Sequence, residues 1–151
     1  MTDRRAVKRK IGLWLLTGCG LYQIGLGFYF ILWRPSFLPE DLRFMGSSAA
    51  AIRAAAPGSE AWLQWVFAVM GGQMIGVGML AFLAARRQKH GMGASHSETF
   101  FLASAAVSTA VLMSGVNFAI GSDLRWLLLA PVALWILALF FQSGGRSHED
   151  R

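Results

Sequence analysis

Four stretches of this chain hold no Asp, Glu, Lys or His, and one Arg stands at the mouth of the last: Ile11–Trp33, Trp62–Ala84, Thr99–Ile120 and Leu124–Gln142. An α-helix rises about 1.5 Å per residue, so roughly 20 apolar residues cross the roughly 30 Å of hydrocarbon in a bilayer. The first three runs are long enough with some tilt, and the fourth is the shortest. Composition points the same way: 55% of the 151 residues are hydrophobic and 15% are charged. A soluble domain carries about 25% charge. The same numbers exclude disorder, and the lone Cys19 excludes a disulfide scaffold. The predicted fold is all-α: a polytopic membrane protein, a four-transmembrane-helix antiparallel bundle. One membrane domain, 11–142, lies between a basic tail, 1–10, and a polar tail, 143–151.

Orientation follows from Lys and Arg in the short flanks. Arg4, Arg5, Lys8, Arg9 and Lys10 precede the first span, Arg86, Arg87 and Lys89 follow the second, and Arg146 and Arg151 follow the fourth. The opposite side has Arg34, Arg43, Arg53 and Arg125, so ten basic residues face four. Both termini are therefore expected in the cytoplasm, with the chain in a cytoplasmic (inner) membrane. Trp33, Trp62 and Trp126 fall at the expected outer boundaries, where amphipathic rings settle. A signal peptide is a weaker reading of the N-terminus. The first run has 23 residues, longer than the usual apolar region of about 7–15, and Arg34-Pro35 follows it where a small-residue cleavage site would stand. The net charge of +6 fits anionic headgroups, and no stacking or phosphate motif points to nucleic acid.

The connection 34–61 has room for structure of its own. Pro39 followed by Glu40 and Asp41 predicts a short helix ended by Gly46. Ser47 or Ser48 then caps an alanine-rich helix over 49–56, stopped by Pro57-Gly58. This segment is either an amphipathic cap on the bundle or a lid over an extracytoplasmic cavity. Residues 86–98 read as a flexible cytoplasmic loop. Gly121-Ser122-Asp123 reads as a tight turn that makes the last two spans antiparallel neighbours.

Helices in lipid gain little by hydrophobic contact alone, so small residues that let backbones approach become the packing signal. Gly18 and Gly25, then Gly20 and Gly27, are each seven apart in the first span, and Gly72 and Gly76 form a G-x-x-x-G in the second, flanked by Gly71 and Gly78. Ser104 and Ser108 continue a small-residue stripe in the third. Close contact among the first three spans is expected, with the bulky fourth offering more surface to lipid. Gln23 and Gln73 stand near the middles of antiparallel spans, so they either pair or form a midplane polar spot with Tyr22, Ser108 and Thr109. Asn117 is the candidate mouth of such a cavity.

No catalytic residues, cofactor or metal site is expected. Intramembrane charges, on which proton relays and voltage sensors depend, are missing from the runs. His90, His96 and His148 lie in connections or tails, which removes bis-His haem ligation between spans. Met70, Met74 and Met79 lack a Cys or His partner for a Cu(I) path.

The segment Gly71-Gly72-Gln73-Met74-Ile75-Gly76-Val77-Gly78, together with the basic N-terminal tail and four short spans, resembles small bacterial inner-membrane proteins of the DoxX-like type. That resemblance implies architecture and no chemistry. The expected function is a non-enzymatic accessory or interaction subunit, with a small transporter or channel for a neutral or lipophilic solute as the alternative. The expected partners are the lipid bilayer and either a second copy or another membrane protein.

Overall fold

The computed structural model describes residues 2–89 and 95–143, with side chains from 6 to 89 and from 95 to 141. The middle of the expected flexible loop, 90–94, and most of the expected polar tail, 144–151, lie outside the described residues. The described chain is all-helical. It runs α1 (Thr2–Leu32), α2 (Pro39–Met45), α3 (Ala49–Ala55), α4 (Ser59–Lys89), α5 (His96–Ala119, with one π turn at Val107–Val111) and α6 (Leu129–Ser143). Three of these, α1, α4 and α5, are long and apolar enough to cross a membrane. Their outer surfaces are apolar: Trp14, Trp65, Phe100 and Leu112 are all well exposed.

Helix α1 extends past the expected span at its N-terminal end, taking in the basic tail. Helix α4 outruns its span at both ends. Polar flanks add helical turns because nothing there breaks the hydrogen-bond ladder. The breaks come where side chains dictate them. Pro35 disfavours helical geometry at Arg34, and the last turn of α1 closes with the Trp33 and Arg34 amides both donating to the Tyr29 carbonyl, each at 2.9 Å.

Helices α1 and α4 are antiparallel, and their contact is the closest in the molecule. A Cβ added to Gly27 would lie 2.5 Å from the Gly71 carbonyl oxygen, and one added to Gly20 would lie 2.8 Å from that of Gly78. The four glycines therefore form a reciprocal seam with seven-residue spacing on both helices. Gly18 and Gly25 have nothing within 4 Å of such an added carbon, and neither do Gly72 and Gly76. Successive helical residues are about 100° apart, so a residue two positions from a seam glycine points roughly to the opposite face. That geometry puts the seam on Gly71 and Gly78 rather than on the G-x-x-x-G.

The expected role of the fourth span is also corrected. Helix α6 packs closely along α1, and Trp135 and Ala138 are almost wholly buried in a cluster with Leu16, Cys19, Ala106 and Ala110. Contacts between α4 and α5 are sparse by comparison. Helix α6 has 15 residues, which corresponds to about 22 Å of rise, short of a full crossing on its own. Its late start traces to Pro131, which has no amide proton to give the Leu127 carbonyl. Ala130 N–H donates there instead at 3.1 Å, and Leu129 N–H donates to Trp126 at 3.2 Å, tightening 123–128 into successive turns. Ser114 Oγ donates to the Leu128 carbonyl at 2.6 Å, tying α5 to this segment.

Helices α2 and α3 form much as the residues suggest. The Asp41 carboxylate accepts from Leu38 N–H at 3.0 Å, and Gly46 ends α2 with φ 60°, a left-handed conformation that glycine adopts without cost. Ser48 Oγ caps α3 by accepting from Ala51 N–H at 3.1 Å. Both short helices are fastened down. Ser122 Oγ donates to the buried Glu40 carboxylate at 3.1 Å, and Arg43 pairs with Asp123 at 2.8 Å, holding α2 over the turn between α5 and α6. Arg53 grips Glu60 through two nitrogens, at 2.8 and 2.6 Å, holding α3 against the start of α4. Arg34 stacks 3.6 Å over the Phe67 ring and reaches Asp41 at 3.2 Å.

Candidate functional site

The expected midplane spot divides into two separate places. On the inside, Gln23 is 1% exposed and its Nε2 donates to Thr109 Oγ1 at 2.6 Å. Thr109 sits in the π turn of α5, and its own hydroxyl proton goes to the Ala105 carbonyl at 2.7 Å. The hydroxyl must therefore accept from Gln23, which fixes the amide with nitrogen toward α5 and leaves Oε1 turned away. Gln23 Oε1 is buried without a hydrogen-bond partner among the described residues, and so is Trp135 Nε1. A π turn carries one extra residue per turn and widens the helix locally. This one carries Thr109, the residue that meets Gln23.

The other expected members do not join it. Gln73 does not face Gln23: it is exposed on the outer side of α4, about 200° around the helix from Gly71. It forms no hydrogen bond through its side chain with any described residue. Ser108 and Ser104 are also on the outside of α5, and Ser108 Oγ bonds back to the Ala105 carbonyl at 3.2 Å. Tyr22 is partly exposed beside Gln23 in sequence. Asn117 Nδ2 is spent on the Met113 carbonyl of its own helix at 2.9 Å. Antiparallel packing brings the middles of α1 and α4 to similar height, but the rotation of each helix, set by the glycine seam, decides which side chains meet.

The outward face of α4 is therefore the second place. Gly72, Gln73 and Gly76 lie on it together, with Val69 and Leu80 exposed near them. Two glycines leave a shallow channel where another backbone could approach, and an amide projects beside it. In hydrocarbon, an unpaired amide costs several kcal/mol, so this residue calls for a polar partner.

A third feature lay outside the expectations. Between the C-terminal part of α4 and the N-terminal part of α5 lies a cavity of about 600 Å³. Leu80, Leu83, Phe101 and Leu102 line its walls, and Arg87 and Glu98 lie at its polar end. The sequence held a signal for it, an acid and an arginine on the flanks of two apolar runs, but the groove itself depends on how α4 and α5 lie beside each other. Among the described residues, no cluster of His, Cys, Asp and Glu could hold a metal ion. No family model, curated protein or solved structure matches this chain.

Proposed function

We propose that this is an integral membrane protein without catalytic activity, an interaction subunit that associates laterally through the outward face of α4. The observation that carries this reading is Gln73, exposed between Gly72 and Gly76 on a helix apolar enough to span a bilayer. The occupant that fits it best is a second copy of the chain. A twofold axis brings identical residues together at identical depth, and an amide is both donor and acceptor, so Gln73 complements itself. Paired glycines at i and i+4 permit the close crossing this requires. In this reading the basic ends of α1 and α4 are cytoplasmic, both termini lie there, and α2 and α3 cap the opposite end. The resemblance to DoxX-like proteins is part of this proposal and implies an architecture without a chemistry.

Cross-linking of a single-cysteine variant at position 69, exposed on the same face as the two glycines, tests the reading in native membranes, after Cys19→Ser removes the native thiol. A dimer band is expected, and Gln73→Leu should reduce it at least severalfold. Gly72→Leu should abolish it while leaving the thermal midpoint of the purified protein within a few degrees. A protein that stays monomeric in its membrane and copurifies with no stoichiometric partner contradicts the proposal.

A second reading, passage of a small neutral solute, rests on the buried and unpartnered Gln23 Oε1 and Trp135 Nε1. Solute flux in proteoliposomes that disappears with Gln23→Leu would favour it over the first.

A further inference from the structure

The groove between α4 and α5 has the composition of a lipid site, and the charges at its end say which lipid. Its walls are apolar and open sideways: Leu80 is 65%, Leu83 53% and Phe101 67% exposed. The polar end holds one cation and one anion. Among the described residues, no carboxylate lies within 4 Å of Arg87, so the two charges do not neutralise one another in an ion pair. Glu98 Oε1 is buried and accepts no hydrogen bond among the described residues, although the Glu98 backbone N–H is satisfied by Ser95 Oγ at 3.0 Å. A buried carboxylate oxygen without a donor is costly, and an incoming donor removes that cost. Ser97, exposed at the same end, adds a hydroxyl.

We propose that this groove binds a phospholipid whose headgroup carries both a phosphate and a primary ammonium, of the phosphatidylethanolamine class. One acyl chain lies along Leu80, Leu83 and Phe101. The phosphate meets Arg87, whose guanidinium presents several donors to its oxygens. The ammonium donates to Glu98. A phosphatidylglycerol headgroup brings no cation to the acid, and a phosphatidylcholine headgroup brings a cation with no N–H to donate. Charge and donor requirements together thus select the primary amine. The assignment rests on the bilayer placement proposed above; Leu80 borders the α4 dimer face as well, whereas Leu83, Arg87, Glu98 and Phe101 belong to the groove and not to that face.

Native mass spectrometry of the full chain, released from nanodiscs containing equal parts of phosphatidylethanolamine, phosphatidylcholine and phosphatidylglycerol, tests it. Retention of phosphatidylethanolamine at least fivefold above either other lipid is expected. Glu98→Gln should erase the preference over phosphatidylcholine, and Arg87→Gln should lower retention of all three. Leu83→Trp should fill the groove and remove the bound lipid, whereas Leu112→Trp, on the exposed part of α5 beyond the π turn, should not. Circular dichroism melting of each variant separates loss of binding from loss of folding; if Leu83→Trp unfolds the chain, Leu80→Trp takes its place. Equal retention of the three lipids, a preference for phosphatidylglycerol, or retention untouched by a folded groove-filling variant would overturn the proposal. A chain that dimerises normally but shows no lipid preference would sink this inference alone.

Discussion

At the scale of single residues, neighbouring glycines in α4 have opposite meanings. Gly71 faces the Gly27 carbonyl, and a methyl group there would lie 2.5 Å from it and 2.7 Å from Ile31 Cγ1. Gly71→Ala should therefore destabilise the fold by about 1–3 kcal/mol, the usual range for overpacking. Gly72→Ala meets nothing within 4 Å and should be neutral, or stabilising by about 0.5–1 kcal/mol through lower backbone entropy. Thermal unfolding of the two variants in one detergent makes the comparison. The buried amide gives a second test. Thr109→Val strands Gln23 Nε2 and should cost about 1–3 kcal/mol, while the double variant Gln23→Leu/Thr109→Val, which removes both partners, should recover most of that loss. A double-mutant cycle on unfolding free energy reads the coupling. Gln23 and Thr109 were both legible as polar residues near mid-span; that these two meet, and Gln23 and Gln73 do not, depends on helix rotation, which residue spacing alone leaves open when glycines occupy two faces.

Elements were legible where a local signal governs them. Pro39, Gly46 and Ser48 mark the ends of α2 and α3 by fixed backbone geometry and by capping, interactions that operate within a few residues. Helix α6 starts at Leu129 and not at Leu124, where the apolar run begins, because hydrophobicity carries no information about the amide proton that Pro131 lacks. Pro131→Ala restores a donor for the Leu127 carbonyl, so α6 should begin up to one turn earlier. Amide exchange slowed across 125–128 would verify this, and unchanged exchange would refute it. The π turn in α5 had no signal in the pattern, since Val-Ser-Thr-Ala-Val suits an ordinary helix as well. The covering helices depend on long-range partners. Arg34 combines an ion pair to Asp41 with stacking on Phe67, a planar contact that lysine cannot reproduce. Arg34→Lys should accordingly raise hydrogen exchange in 38–46 severalfold without changing exchange in the α1–α4 seam.

At the scale of the whole molecule, the class of fold was written in the charge-free runs, because hydrocarbon excludes ionised side chains whatever the tertiary arrangement. The order of packing was not. Bulky residues in the fourth run suggested a lipid-facing helix, yet Trp135 fills the space beside α1 that the small side chains of α5, Ala106 and Ala110, leave open. Large against small is a relation between helices, and no single run displays it. In the proposed placement, lipid bathes the outer faces of α1, α4 and α5, with the basic end and the α2–α3 end in different compartments. Labelling of single thiols in intact cells and in inverted vesicles, on a Cys19→Ser background, tests this most directly with a membrane-impermeant maleimide. Position 50 should react only from outside and position 97 only from inside, while position 69, exposed on α4 yet sunk in hydrocarbon, should react from neither. Reaction of positions 50 and 97 from the same side, or ready reaction at position 69, would contradict the account.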